Sequence, residues 1–332
     1  WTRGRQQRVV INGRNSNWAD VTSSVVQGSV IGPVLFIIFI NDIDLVVDEE
    51  GTKLFKYADD SKVGRCIRDS NDAAALQSDL DNLARWAERN GMTLHPQKTV
   101  VIHFGHNNPL NSYTLTGSPI SSADCVKDLG VQINDKCTPS AHIEIITKKA
   151  NSVLAQLRRT TISRSADMVI KLYKTYVRPL VESSVQAWNP WLQRDIDCIE
   201  RVQRRATKLV SGIGSKTYEE RLKICKLTTL EQRRKRGDLL ECFKIMNDVG
   251  NSEMRGFFCL SRDRHNVSTR GATEGLLVPQ QTRLDIRKFF FSNRVVNAWN
   301  ELPLEIRDAS SVNAFKNLYD LYTTEITTDT ND

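Results

Sequence analysis

Long apolar runs, paired cysteines and repeats are all missing from this sequence, and each absence excludes something. The longest apolar stretch, residues 30–40, is interrupted by Gly32-Pro33 and falls well short of the roughly 20 residues a helix needs to cross a bilayer. The seven cysteines (Cys66, Cys125, Cys137, Cys198, Cys225, Cys242 and Cys259) form no C-x-x-C and no cluster with histidine. That spacing offers neither a zinc knuckle nor a disulfide framework, and it points to a reducing compartment. No signal peptide is visible, so the chain is expected not to be secreted, and the sequon Asn266-Val267-Ser268 is expected to be idle. No internal repeat or low-complexity tract appears. Residue 1 is Trp rather than Met and leads at once into Arg-rich, strand-like sequence, so the true N-terminus is expected to lie upstream.

What is present is ordinary globular chemistry. The chain has 332 residues, 40% of them hydrophobic and 26% charged, enough to bury a core and to build two domains. The net charge of +7 is unevenly spread. Residues 1–140 hold 14 Lys/Arg against 16 Asp/Glu, residues 141–240 hold 21 against 10, and residues 241–332 hold 11 against 13. The middle third alone therefore carries +11, a pattern that fits either a polyanion-binding surface or a solvated helical face.

Hydrophobic periodicity divides the chain into three regions. To about residue 135, strands and helices alternate. Asn12-Gly13 marks a hairpin, residues 52–58 read as a strand, residues 99–104 read as another, and Pro33 suits the first turn of an apolar helix. A helix is predicted between Asn71 and Gly91, with Ala73, Leu76, Leu80, Leu83 and Ala87 on one face and Gly91 ending it. The predicted fold class is α+β, a small antiparallel sheet with helices covering one face. Residues 141–240 read as helical and basic. The last stretch, around residues 289–306, has helical apolar spacing without recognisable chemistry. Residues 30–40 are expected to be core.

The sharpest local feature is Tyr57-Ala58-Asp59-Asp60. Two adjacent carboxylates at the end of a β-prone run repel each other. Either they form an exposed Asp-Asp turn, or a cation sits beside them. Around them stand Gln27-Gly28 before the apolar helix, Lys98 shortly after the predicted 71–91 helix, and a Gly-centred strand pair at Leu129-Gly130-Val131. In "CIERVQRRATKLV", Ile199, Val202, Ala206 and Leu209 fall on one side of a helix, and Arg201, Arg204, Arg205 and Lys208 gather on the other.

The order Q-G-S-x-x-G-P, Y-A-D-D, helix-loop-P-x-K-T and L-G-V resembles the palm of reverse transcriptases. In detail it is most similar to the enzymes of non-LTR retrotransposons, the LINE and jockey-like group. The resemblance runs on through a thumb to Arg294-Val295-Val296-Asn297-Ala298-Trp299-Asn300-Glu301-Leu302-Pro303. It implies a partial palm at 1–135, a basic helical thumb-like region at 136–240, and a mostly helical C-terminal region of unknown role at 241–332. The implied activity is RNA-directed DNA synthesis, a two-metal transfer from a dNTP to a primer 3′-hydroxyl, with Mg²⁺ as cofactor and Mn²⁺ as an alternative. The implied partners are an RNA template and a DNA primer or target, with no membrane and no zinc, in the nucleus and/or cytoplasm.

Residue by residue, the resemblance makes Asp59 and Asp60 metal ligands and places Lys98 near the triphosphate. Gln27, Gly28 and Tyr57 fall at the template and incoming nucleotide, and Leu129, Gly130 and Val131 at the primer grip. By its position the Arg201, Arg204, Arg205 and Lys208 stripe would contact nucleic-acid backbone. The sequence departs from the family at Val26, where proline is usual, and at His95, where asparagine is usual. The family's first metal-binding Asp has no match here. Asp20, the only Asp before Gln27, stands in the wrong setting. The alternative implied is a catalytically inactive remnant that binds nucleic acid at most. A different palm polymerase fits less well, because RNA-templated RNA polymerases more typically place Gly where Ala58 stands.

Overall fold

In the computed structural model, described for residues 3–48, 50–250, 252–261 and 275–329, the chain divides into two compact units, residues 1–123 and 124–332. The sequon Asn266-Val267-Ser268 lies outside the described residues.

The first unit begins with nested hairpins. Strand β1 (Arg5–Gln7) will pair with the fourth strand, while β2 (Val10–Ile11) and β3 (Arg14–Asn15) close around Asn12-Gly13. Both turn residues have positive φ, 49° and 78°, the backbone that Asn-Gly adopts most easily in a two-residue hairpin. Strand β4 (Ala19–Val21) runs antiparallel to β1. Helix α1 (Gly32–Ile40) follows with its proline in the first turn, where a missing N–H costs nothing. The expectation that this apolar run is core is not met, because of all its residues only Ile40 is buried. Val34, Ile37 and Ile38 are each more than half exposed. A nine-residue helix that is apolar all round can turn only part of its surface to one core, so the remainder faces outward.

A 3₁₀ turn (Asn41–Val46) leads to strands β5 (Thr52–Tyr57) and β6 (Asp60–Arg65), and then to helix α2 (Ser70–Arg89). Asp69 caps α2 by accepting from the N–H groups of Asn71 and Asp72, and Gly91 just beyond its end has φ +66°. Leu54 and Val63, on the inner face of the β5–β6 hairpin, pack against Ile40, Ile43, Leu83 and Trp86. The unit ends with β7 (Val100–Val101), β8 (Thr114–Leu115), β9 (Ser118–Pro119) and β10 (Ser121–Ser122). β8 and β9 form a hairpin, and β7 pairs with β10 in parallel.

The second unit opens on the hairpin of β11 (Cys125–Asp128) and β12 (Val131–Asn134). It then becomes helical through α3 (Ser140–Thr160), α4 (Ala166–Leu172), α5 (Val185–Trp188), α6 (Gln193–Thr207), α7 (Tyr218–Cys225) and α8 (Leu230–Met246). Thr217 and Thr229 start α7 and α8 with reciprocal capping boxes. One cluster gathers Val131, Ile143, Tyr173, Ile199, Val202 and Leu230. After the short helix α9 (Asp285–Lys288), a second cluster joins Leu239 and Phe243 of α8 to α10 (Phe291–Asn300), α11 (Leu304–Arg307) and α12 (Val312–Asp329), through Val295, Trp299, Ile306 and Phe315.

The mixture of helices and short strands is α+β, as the sequence predicts. Instead of one small sheet, though, the strands form six separate two-stranded ladders among the described residues. Most are only two to four residues long, and the strand expected over 99–104 shrinks to Val100–Val101. No helix among the described residues is long and apolar enough to cross a membrane.

Candidate functional site

The Asp pair sits at the tip of the β5–β6 hairpin. Tyr57 pairs with Asp60 across the ladder, so Ala58 and Asp59 are the two turn residues. Ala58 has φ 50°, a left-handed backbone that L-residues other than Asn and Asp seldom adopt. The period of two along β5 turns Thr52, Leu54 and Lys56 inward and Lys53, Phe55 and Tyr57 outward, and Tyr57 is 66% exposed. Asp59 and Asp60 are both exposed. Neither carboxylate has a hydrogen-bond or ion-pair partner among the described residues.

The base of the hairpin, by contrast, is tied down. Thr52, 2% exposed, donates its hydroxyl to Asp79 Oδ2 at 2.6 Å, and Asp79 Oδ1 accepts the backbone N–H of Asp48 at 3.0 Å. Arg65, at the other end of the ladder, donates to Asp48 at 2.8 Å, to Asp72 at 3.3 Å and to Thr52 Oγ1 at 3.1 Å. The guanidinium beside Asp48 holds that carboxyl below its usual range. The backbone N–H of Arg68, and then Arg65, do the same for Asp72. Lys56 is paired with Asp44. These bonds give the hairpin a fixed root and leave its tip uncommitted.

Gln27-Gly28 lies in a turn before α1 that the Ser29 N–H closes on the Val26 carbonyl at 3.1 Å. Gly28 has φ +80° with open space where a Cβ would stand, so conformation rather than crowding calls for glycine there. Lys98 is exposed on the turn after α2 whose N–H bonds return to the His95 carbonyl. Among the described residues no hydrogen bond or ion pair joins Lys98 or Gln27 to the Asp pair. Tyr57, Asp59 and Asp60 are thus brought together by the ladder itself, while Gln27-Gly28 and Lys98 stand on separate turns of the same unit.

The other expected residues belong to the second unit. Leu129 and Gly130 form the β11–β12 turn with φ 44° and 90°, leaving Leu129 half exposed and Val131 buried in the helical core. This hairpin has an anchor that no motif signalled. His142 of α3, 4% exposed, accepts the Gln132 N–H at Nδ1 (3.1 Å) and lies 5.2 Å from the Trp188 ring. Accepting at Nδ1 requires a neutral imidazole with its proton on Nε2. Burial pushes the His142 pKa below its ordinary value. The unfolded chain takes up a proton near pH 6.5 that the folded chain refuses. Stability should therefore fall as the pH drops below about 6.5, by at most about 1.4 kcal/mol per pH unit for one proton. Denaturant midpoints between about pH 7.5 and 5.5 should show this slope, and His142→Asn, which keeps an acceptor and does not titrate, should flatten it. An equal slope in both proteins would assign the effect to other groups.

On α6 the predicted two faces are present. Ile199, Val202 and Ala206 are fully buried, Leu209 just past the helix is half-buried, and Arg201, Arg204, Arg205 and Lys208 are exposed. Two of these cations are already engaged, Arg204 stacked 4.4 Å over the Tyr218 ring and Arg205 donating to Asn151 Oδ1 at 2.9 Å. Apolar spacing alone does not show what fills the rest of the buried side. Gln203 accepts from Tyr173 OH at 2.8 Å and donates to Tyr218 OH and the Thr228 carbonyl at 2.9 Å each. Tyr218 in turn donates to Glu200, which also receives the Leu230 N–H at 3.0 Å. Burial, and then the bond to Glu200, push the Tyr218 hydroxyl well up, so it stays a donor.

Residues 5–133 match the family model described as reverse transcriptase (RNA-dependent DNA polymerase), and the hairpin bearing the Asp pair lies inside that matched segment. The chain is similar to the RNA-directed DNA polymerase from mobile element jockey of Drosophila melanogaster, with 26% identity over 237 residues, covering 67% of this chain and 26% of the relative. It also resembles the jockey polymerase of Drosophila funebris (27% identity, 63% and 24% covered) and the probable RNA-directed DNA polymerase from transposon BS of Drosophila melanogaster (27%, 57% and 22%). The chain is thus similar to reverse transcriptases of the non-LTR, jockey-like kind, and it spans about a quarter of the length of the curated relatives it matches. No solved structure matches it.

Proposed function

We propose that this chain supplies part of the palm, and the thumb, of a polymerase that copies RNA into DNA by joining a dNTP to a primer 3′-hydroxyl. The observation that supports it best is the tip of the β5–β6 hairpin, where two adjacent, exposed carboxylates without partners among the described residues stand on a tightly anchored base inside the matched segment. Their oxygens are the hard donors that Mg²⁺ or Mn²⁺ prefers, and a divalent cation offsets their mutual repulsion. Among the described residues no group of three His, Cys, Asp or Glu side chains could hold a metal ion. The hairpin tip itself offers two ligands, and other groups, such as substrate phosphates or a further carboxylate, would complete the set. When bound, such ions activate a hydroxyl nucleophile and stabilise a leaving pyrophosphate.

The chain's own residues do the positioning. Tyr57 and Phe55 present an exposed aromatic face beside the carboxylates. Lys98 offers a mobile cation for a triphosphate, and Gln27 and Gly28 offer a polar side chain and an open backbone. The Leu129-Gly130 tip meets the primer, Val131 seats that tip in the core, and the α6 stripe lies along the backbone of the duplex.

The metal reading can be tested on the chain as it stands. Titrated with Mn²⁺, the amide resonances of Ala58, Asp59, Asp60 and Ser61 should broaden first, with a roughly millimolar midpoint, since few ligands are present. Asp59→Asn with Asp60→Asn should remove that broadening and leave the other resonances unchanged. Broadening that starts instead at Asp42, Asp44 or Asp48 would place the cation elsewhere.

A further inference from the structure

The connector between α3 and α4 carries an arrangement that polymerase chemistry does not use. Arg158-Arg159-Thr160-Thr161-Ile162 sets two guanidinium groups three and two positions before a hydroxyl and an apolar side chain directly after it. We propose that Thr161 is a phosphorylation site for a protein kinase selective for basic substrates, with ATP as phosphoryl donor. Such kinases choose substrates by charge pattern, reading basic side chains ahead of the acceptor with carboxylates of their own. Thr160, Ser163 and Ser165 lie close by, but none has arginine at both of those positions.

The fold presents this segment. Thr161 leaves α3 with φ −98° and ψ 119°, an extended backbone, and residues 161–165 have no regular structure. Ile162 is 98% exposed, and nothing among the described residues of its unit covers it. Arg158, Arg159 and Thr160 are exposed on the last turn of the helix. That turn is closed by the Thr161 N–H on the Leu157 carbonyl and by Thr160 Oγ1 on the Gln156 carbonyl, both at 3.0 Å. Exposed terminal turns open at little cost, which lets the arginines extend into a kinase cleft.

The same four-residue pattern recurs at Arg204-Arg205-Ala206-Thr207, and there the structure withholds it. Thr207 is fully buried inside α6 and donates its hydroxyl to the Arg204 carbonyl. Thr161, by contrast, is only half-buried and lies between exposed neighbours.

In the transfer, Thr161 Oγ1 attacks the γ-phosphorus of ATP, its proton passes to the kinase's base, the bond to the bridging oxygen breaks, and ADP leaves. The product has a ready setting. Thr161, Arg158 and Arg164 line one shallow cleft together with Leu157 and Tyr173, and Arg164 now donates to the Arg158 carbonyl at 3.0 Å. A phosphate there, carrying about −1.5 to −2 charges, would sit between two guanidinium groups and neutralise part of the basic face. That last consequence rests on the nucleic-acid reading above.

The test is to incubate the folded chain with the catalytic subunit of cyclic-AMP-dependent protein kinase and MgATP, and to map phosphate by mass spectrometry. About one phosphate per chain at Thr161 is expected, absent in Thr161→Ala and kept in Thr161→Ser. Arg158→Ala with Arg159→Ala should lower the kinase's kcat/KM by about tenfold or more, with the helical circular dichroism unchanged. Heat-denatured chain should also be modified at Thr207. The proposal fails if the folded chain takes up no phosphate at Thr161, if uptake there needs denaturation, or if removing both arginines leaves it unchanged. If Thr161 is modified and duplex binding stays the same, the acceptor site stands and the basic face near it is not a nucleic-acid contact.

Discussion

In a chain extended upstream to the length of its jockey relatives, Asp59→Ala abolishes dNTP incorporation on a primed RNA template, a loss of about 10³-fold or more, and primer-template affinity stays within about twofold. The reason is local. Asp59 is a turn residue whose carboxylate has no partner among the described residues, and the hairpin is held at its opposite end by Thr52, Asp79 and Arg65. On the proposed metal role, removing the carboxylate takes away a ligand and leaves the scaffold. A Lewis-acid contribution of several kcal/mol corresponds to a loss of that size. Lys98→Ala should cost less, because Lys98 acts as a point charge on a flexible stem. The chain alone, without a match to the family's first metal-binding Asp, is expected to incorporate no dNTP. Synthesis surviving Asp59→Ala in the extended protein would show that the catalytic carboxylates lie elsewhere. Robust synthesis by the chain alone would show that two carboxylates suffice.

The basic stripe of α6 should give the second large effect. Replacing Arg201, Arg204, Arg205 and Lys208 with Gln is expected to weaken duplex binding in roughly 50 mM salt and to lower the slope of log K against log salt by up to roughly 3.6, about 0.9 for each phosphate that the chain no longer neutralises. Base sequence should matter little, because phosphate contacts position a protein without specifying sequence. The structure refines the expectation. Arg201 and Lys208 have no hydrogen-bond or ion-pair partner among the described residues, whereas Arg204 covers the Tyr218 ring and Arg205 binds Asn151. The pair Arg201→Gln with Lys208→Gln should therefore carry a full share of the slope without disturbing the fold. Binding isotherms at several salt concentrations, with circular dichroism as control, decide it. If slope and affinity match those of the parent, the stripe is a solvated surface and nucleic acid binds elsewhere.

Local signals proved most legible where the physics is local. Asn12-Gly13 set a hairpin because both residues tolerate positive φ, Pro33 marked a helix start, and the spacing of Leu76, Leu80 and Leu83 marked the buried face of α2. Even some misses left a trace. Asp79 falls on that same apolar face, three residues after Leu76 and four before Leu83, and a carboxylate there has to be buried with a partner. Gln203 likewise follows Ile199 by one turn on the buried face of α6. Neither position says which partner it finds, since Thr52 lies 27 residues from Asp79, and Tyr173 lies 30 from Gln203.

The sequence by itself showed the likeness to reverse transcriptases, the α+β class, the strand that leads to Asp59 and Asp60, and the two-faced character of α6, because each rests on residues close together in the chain. Tertiary structure alone decided the rest. It left the apolar helix α1 mostly exposed, although its composition reads as core, because burial depends on how much surface a neighbouring element offers. It placed His142 beneath the β11–β12 hairpin and engaged Arg204 and Arg205 with neighbours. It also separated two copies of an Arg-Arg-x-Thr pattern, leaving Thr161 half-buried at a helix end and Thr207 fully buried. Periodicity fixes which face of an element is apolar, and only packing between distant elements fixes what that face meets.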